Sequence, residues 1–242
     1  MPRISFQNLS RSKKTLLAIG LVLIGLVLLI LIAGILNALV GDGEWTLWSS
    51  YRYDETGYET GSASIGSKEI TAIDVDWIDG EVEVVLCDDA YVSITEVYEG
   101  ELTEQSLMRY KLSEDGKSLS VKYRASDAFI GFGNGGEDKK LIVRVPRTYI
   151  DQLESLTVNS KSADIKIVGV TAKTVEAYSK RGDIELQTPF SVGFTLSFDC
   201  KGDLFESNIP NVQNTLGHGD CKNRVVLNAP RGSVRLFTLR DA

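Results

Sequence analysis

Two hydrophobic patterns divide this chain. From Leu16 to Val40 the run "LLAIGLVLIGLVLLILIAGILNALV" holds no charge, and its first polar amide is Asn37. As a helix rising ~1.5 Å per residue it is long enough for the ~30 Å core of a bilayer. Beyond about Ser67 apolar and polar positions alternate instead. In "ITAIDVDWIDGEVEVVL", Ile73, Val75 and Trp77 alternate with acids, Asp79-Gly80 makes a hairpin-type turn, and Val82, Val84 and Leu86 alternate again. This period of two predicts strands on both sides of a turn. "YVSITE", "KSLSVKY" and "KKLIVRVP" continue it, with turn signals at Asp115-Gly116 and in "GFGNGGED". The one helix expected here is short, near "ELTEQSLMRY".

From Leu153 the strands acquire a longer period. "SADIKI", "RGDIEL", "KGDLFE" and "HGDCKN" place Asp164, Asp183, Asp203 and Asp220 at separations of 19, 20 and 17 residues, and "RGSVRL" follows with Ser233 another 13 on. A short alternating strand precedes each of the first three. A unit of about 20 residues with one or two strands cannot bury its own apolar face, so coils must stack. The predicted fold is all-β, a β-solenoid or β-helix-like stack of short strands behind one N-terminal transmembrane helix. Ile165, Ile184, Leu204 and Cys221 are expected at equivalent inward positions, as are Leu156, Val175 and Leu196.

The organisation follows: a cytoplasmic basic tail at 1–15, a transmembrane helix at 16–40, a stalk at 41–67 and the β-solenoid at 68–242. Residues 1–15 carry Arg3, Arg11, Lys13 and Lys14 and no acid, which keeps the N-terminus inside and places the rest extracytoplasmic. The apolar run is too long for a cleaved signal peptide and reads as an uncleaved signal anchor. Trp45, Trp48, Tyr51 and Tyr53 form either an interfacial belt or the first strand of the domain.

Charge and chemistry narrow the function. Residues 41–242 hold 22 basic and 33 acidic residues, a net −11 that repels phosphate and excludes nucleic acid as a partner. One histidine, His218, excludes a multi-histidine zinc site, and no cofactor is expected. Cys87, Cys200 and Cys221 are too few for a disulfide framework; Cys200 and Cys221 are able to form one bond, but the reading taken is buried free thiols. "GFGNGG" precedes a strand rather than a helix and lacks the anion site of a phosphate loop.

The Gly-Asp turns themselves have three readings. Gly supplies a left-handed turn and Asp caps exposed amides, which needs no ligand. A row of Asp164, Asp183, Asp203 and Asp220 along one edge would bind calcium or a cationic polymer, but one Asp per coil is sparse against six to eight oxygen ligands. Paired carboxylates on neighbouring coils, ~4.8 Å apart, would serve a glycan-active enzyme, although no nucleophile is marked. His218 beside Asp220 reads as a solvated turn residue.

An anchor, an acidic β domain, "LIVRVPRTYIDQLESLTVNSKSADIKI" and successive "GDIEL"-type turns together resemble a bacterial adhesin-type domain family of unassigned activity, over roughly residues 68–240. The likeness is greatest to single-anchor members associated with cell-envelope stress operons of Gram-positive bacteria. Ala163 departs from the pattern, standing where Gly is usual. The resemblance implies an interaction module whose partners are an envelope protein or wall glycan; a glycan-active β-helix enzyme of the envelope is the alternative.

Overall fold

The computed structural model describes residues 15, 19–20, 22–30, 32, 56–99, 107–123, 139–189, 191–202, 204–208 and 215–239. It divides into two units, Met1–Ser49 and Ser50–Ala242. In the first, residues 22–30 are helical, and Val22, Leu23, Leu26, Val27 and Leu29 are more than half exposed. Among the described residues no helix is long and apolar enough to cross a membrane. The expected span at 16–40 and the basic tail lie partly outside the described residues, and the four aromatics from Trp45 to Tyr53 lie wholly outside them.

The second unit is built of strands in two sheets. In chain order these are β1 (Glu59–Thr60), β2 (Ala63–Ile65), β3 (Ala72–Trp77), β4 (Glu81–Cys87), β5 (Val92–Val97), β6 (Arg109–Leu112), β7 (Ser118–Tyr123), β8 (Lys140–Pro146) and β9 (Ser155–Ser160). They continue as β10 (Asp164–Val168), β11 (Thr174–Ser179), β12 (Ile184–Pro189), β13 (Phe194–Cys200), β14 (Phe205–Ser207), β15 (Thr215–His218), β16 (Asn223–Ala229) and β17 (Val234–Leu239). A 3-10 turn, Arg147–Tyr149, lies between β8 and β9.

Sheet A runs β1-β6-β7-β3-β9-β11-β16-β13-β15 and sheet B runs β14-β17-β12-β10-β4-β8-β5-β2. From β7 to β13 and from β8 to β14 neighbouring strands are parallel. The chain takes one strand in sheet A, turns a corner and takes the next in sheet B, so β3/β4, β9/β10, β11/β12, β13/β14 and β16/β17 are coils of a stack.

Alternation explains why the coils bury a common core. Leu119, Ile73, Leu156, Val175, Val225 and Leu196 pair across sheet A in one inward layer. Leu141, Val82, Ile165, Ile184, Val234 and Phe205 do the same across sheet B. All but Phe205, which is partly buried, are 5% exposed or less. Each such side chain contributes roughly 1.5–3 kcal/mol by leaving water.

The stack differs from a simple repeat in two places. Coil β3/β4 sits between β7/β8 and β9/β10, and the last coil, β16/β17, inserts between β11/β12 and β13/β14. Period alone fixes which residues point inward, not the order in which coils are laid down. The Asp79-Gly80 turn is likewise a corner between sheets rather than a hairpin, because β3 and β4 belong to different sheets. Asp115-Gly116 does join an antiparallel hairpin, β6/β7.

Other expectations are corrected. Leu204 is 51% exposed, and Phe205 takes the inward place, a slip of one residue that reverses faces. Cys221 lies in an exposed turn with φ 54°, not in the inward layer. Cys200 ends β13 whereas Cys221 precedes the parallel neighbour β16, so the two stand at opposite ends of these strands and are not joined by a disulfide; Cys200 is half-buried and Cys221 exposed. Within the expected stalk, β1 and β2 pair with β6 and β5. Arg109 and Tyr110, at the end of the expected helix, are in strand β6; residues 101–106 and the "GFGNGG" segment lie outside the described residues.

Candidate interaction surface

Two corners from sheet A to sheet B hold Asp164 and Asp183, each with a carboxylate oxygen engaged by the backbone of the neighbouring coil. The backbone N–H of Asp183 donates to Asp164 Oδ1 at 2.8 Å, and that of Ser233 donates to Asp183 Oδ1 at 2.7 Å. Each Asp caps the corner of the next coil, a ladder that Asp79 joins locally by accepting from the N–H of Gly80 at 2.9 Å. A second layer lies beneath. Ser160 Oγ accepts from the N–H of Ala163 at 2.7 Å, and Ser179 Oγ accepts from the N–H of Gly182 at 3.0 Å while donating to the Ala163 carbonyl at 2.7 Å. Both serines are buried. The repeat is thus Ser-x-x-small-Asp, and the serine was missed although "NSKSAD" and "YSKRGD" carry it in plain register.

Gly182 is required for closeness rather than for a left-handed backbone. A Cβ there would stand 2.2 Å from the Ala163 carbonyl oxygen, and its φ is not positive. Gly80 needs both, with φ +87° and a Cβ position 2.1 Å from the Lys139 carbonyl oxygen.

The four predicted acids do not form one row. Asp164 and Asp183 are adjacent. Asp203 lies outside the described residues. Asp220 is on the opposite rim, in the turn that leads into β16, where it pairs with Lys222 at 2.5 Å. That hydrogen bond holds the Asp220 carboxyl below its ordinary range. His218 packs its ring on Phe194, centroids 5.5 Å apart. Among the described residues no three His, Cys, Asp or Glu side chains are placed to hold a metal ion.

The outward sides of the sheets differ. On sheet B, register aligns Glu83, Lys166, Glu185, Arg235 and Glu206, one per strand. Lys166 and Arg235 approach Glu185 at 3.7 and 3.5 Å, and Lys140 bridges Glu83 at 2.7 Å and Glu81 at 3.0 Å. Signs alternate, so the row is neutralised within itself. On sheet A the matching row is Lys122, Asp76, Asn159, Tyr178, Asn228 and Asp199. Beside it run Ser120, Asp74, Thr157, Glu176, Val226 and Ser197. Asn159, Tyr178 and Asp199 are exposed. Burial raises the Asp74 carboxyl above its ordinary value, Lys122 pulls it back and Asp76 adds to the rise.

An apolar gap by Val170, Thr171, Val175 and Phe194 has room for about one water. Two buried charges lie elsewhere: Lys139 Nζ meets Glu96 Oε1 at 2.8 Å, both side chains 1% exposed or less, with Nζ 4.3 Å from the Tyr123 ring. Glu96 Oε2 also accepts from the N–H of Met108 at 3.2 Å, and Tyr123 packs on Trp77 at 4.7 Å.

A structure of a candidate cell adhesion protein from Clostridium sporogenes has the same fold, at TM-score 0.50 and 10% identity, over 75% of this chain and 99% of that one. A candidate adhesin from Bacteroides fragilis aligns over 75% and 97% at 11% identity, with TM-score 0.23. No curated protein matches the chain. The model of the family described as Toastrack DUF4097 matches residues 67–221, more than half of the chain and the strands from β3 to β15, and this protein therefore belongs to the Toastrack DUF4097 family.

Proposed function

We propose that the chain is a membrane-anchored extracytoplasmic interaction module, adhesin-like, which serves as a scaffold of the cell envelope and carries out no catalysis. The observation that carries this reading is the corner ladder: Asp164 and Asp183, two of the repeated groups best suited to chemistry, accept backbone N–H groups of the neighbouring coil. What the stack presents is a rigid, flat surface. Anchoring is supported by the uncharged run Leu16–Val40 behind four basic residues and by exposed apolar side chains along the helical residues 22–30.

Exposed Cys221 reports the side of the membrane. In intact cells producing the full chain with Cys87→Ser and Cys200→Ser, a membrane-impermeant maleimide labels Cys221, and the protein stays in the membrane pellet after alkaline extraction. Labelling only after lysis, or release by alkali, overturns the reading.

A glycan-active enzyme is favoured by one observation. Asp74 and Asp76 stand two residues apart on the same side of β3, a neighbouring pair of carboxylates of the kind glycoside hydrolysis uses. Release of reducing ends from wall glycan by the wild type, lost in Asp76→Asn, would establish that second reading.

A further inference from the structure

We propose that the outer face of sheet A binds an extended, uncharged β-linked glycan lying across the strands, along the row from Lys122 to Asp199. This rests on the interaction-module reading and names its ligand class. Six parallel strands at ~4.8 Å spacing make a track of about 24 Å. Each strand places one side chain on it: Lys122, Asp76, Asn159, Tyr178, Asn228 and Asp199. A pyranose ring is about as long as one strand spacing, so a polysaccharide crossing the sheet meets a polar group at nearly every sugar.

The residue types suit such a chain. Amides and carboxylates pair with the hydroxyls and acetamido groups of a sugar, donor to acceptor and acceptor to donor. Tyr178, 36% exposed in the middle of the track, offers a ring on which the C–H face of a sugar packs. Other occupants fit less well. Asp74, Asp76 and Asp199 repel polyphosphate and uronic polymers. A protein partner finds no cluster of aromatic and Arg anchors on this row. Strand addition is closed off as well, since β3, β9, β11, β16 and β13 each have a neighbour on both sides. Sheet B suits it less, because ion pairs run along its corresponding row itself, whereas on sheet A the Arg224–Glu176 pair lies beside the track and the Tyr58 ring covers only its Lys122 end.

The test uses the full chain in detergent micelles and, as probe, particulate chitin, an uncharged β-linked polymer of acetamido sugars, with binding read by co-sedimentation. Wild type sediments with the glycan and is displaced by its soluble neutral oligomers. Tyr178→Ala and Asn159→Ala each weaken retention about tenfold at unchanged melting temperature, while Lys166→Ala on sheet B retains wild-type binding. Failure of wild type to sediment, or equal retention of both sheet A variants, overturns the assignment. Capture on immobilised envelope protein with none on glycan overturns the ligand and leaves the module reading standing; capture on neither removes both.

Discussion

At the β9/β10, β11/β12 and β16/β17 corners of the parallel coils, hydroxyls and carboxylates reach within and between turns. At the other end of the stack, where antiparallel β5 and β6 close the sheets, the chain instead buries a Lys139–Glu96 pair against Tyr123 and Trp77. The first solution spreads small contributions over many equivalent hydrogen bonds, each worth about 1 kcal/mol. The second concentrates a large, conditional contribution in one place, because a buried charge is tolerable only while its partner is present. Repetition gives tolerance and the closed end gives none.

The sharpest way to break this contrast is at the buried pair. Glu96→Gln leaves the Lys139 ammonium without its counter-charge and lowers stability by roughly 3–5 kcal/mol, whereas the double change Glu96→Leu with Lys139→Met regains most of it. Urea unfolding followed by tryptophan fluorescence measures both, and an additive double mutant would show that the two charges act independently. Next comes Gly182→Ala, whose added methyl must displace the Ala163 carbonyl, at a cost of about 1–3 kcal/mol. A loss below that would mean the corner yields more easily than its hydrogen bonds suggest.

Smaller effects refine the picture of the coils. Asp183→Ala strands the N–H of Ser233 and costs about 1–2 kcal/mol, while Asp183→Asn keeps an acceptor oxygen and costs a fraction of that. Equal losses would make the negative charge, rather than the cap, the stabilising element. Least of all is Asp74→Asn on the outer face. Burial raises the Asp74 carboxyl above 3.8, so the folded chain keeps this proton at a pH where the unfolded chain has released it. The penalty is absent at low pH and develops as pH rises through the folded value. Asp74→Asn therefore stabilises by up to about 0.5 kcal/mol at pH 7 and makes no difference well below pH 3.8. Paired urea melts at pH 7 and pH 3 decide it, and a destabilised variant at pH 7 would reverse the sign.

Legibility in the sequence follows the same division. Alternation identified the inward layers through Ile165, Ile184, Leu156, Val175 and Leu196, because burial on one side of a strand leaves a period of two. It misplaced Leu204, since nothing in "KGDLFE" marks where the corner ends and the strand begins. Glu96 shares parity with Val92 and Ile94, and Lys139 with Leu141 and Val143, so both charges were readable as inward; that they meet was not, because 43 residues separate them. The order of coils left no trace, as every coil carries a similar edge. Of the candidate acids, Asp164 and Asp183 came together as their spacing implied. Asp220 did not, because its Gly-Asp stands in a turn between β15 and β16, two strands of sheet A, and not at a corner between sheets.

The inserted coil β16/β17 sets a schedule for synthesis. Its strands fill the place between β11/β12 and β13/β14, yet they are the last described segment to be made. Until residues 223–239 emerge, β11 and β12 each lack a neighbour, and β13 has no route to the rest of sheet A. The stack cannot be finished from its beginning, coil by coil, and it cannot be lengthened by adding a copy at the end. Its final stretch is a keystone, and a nascent chain that stops short of it leaves an open arch.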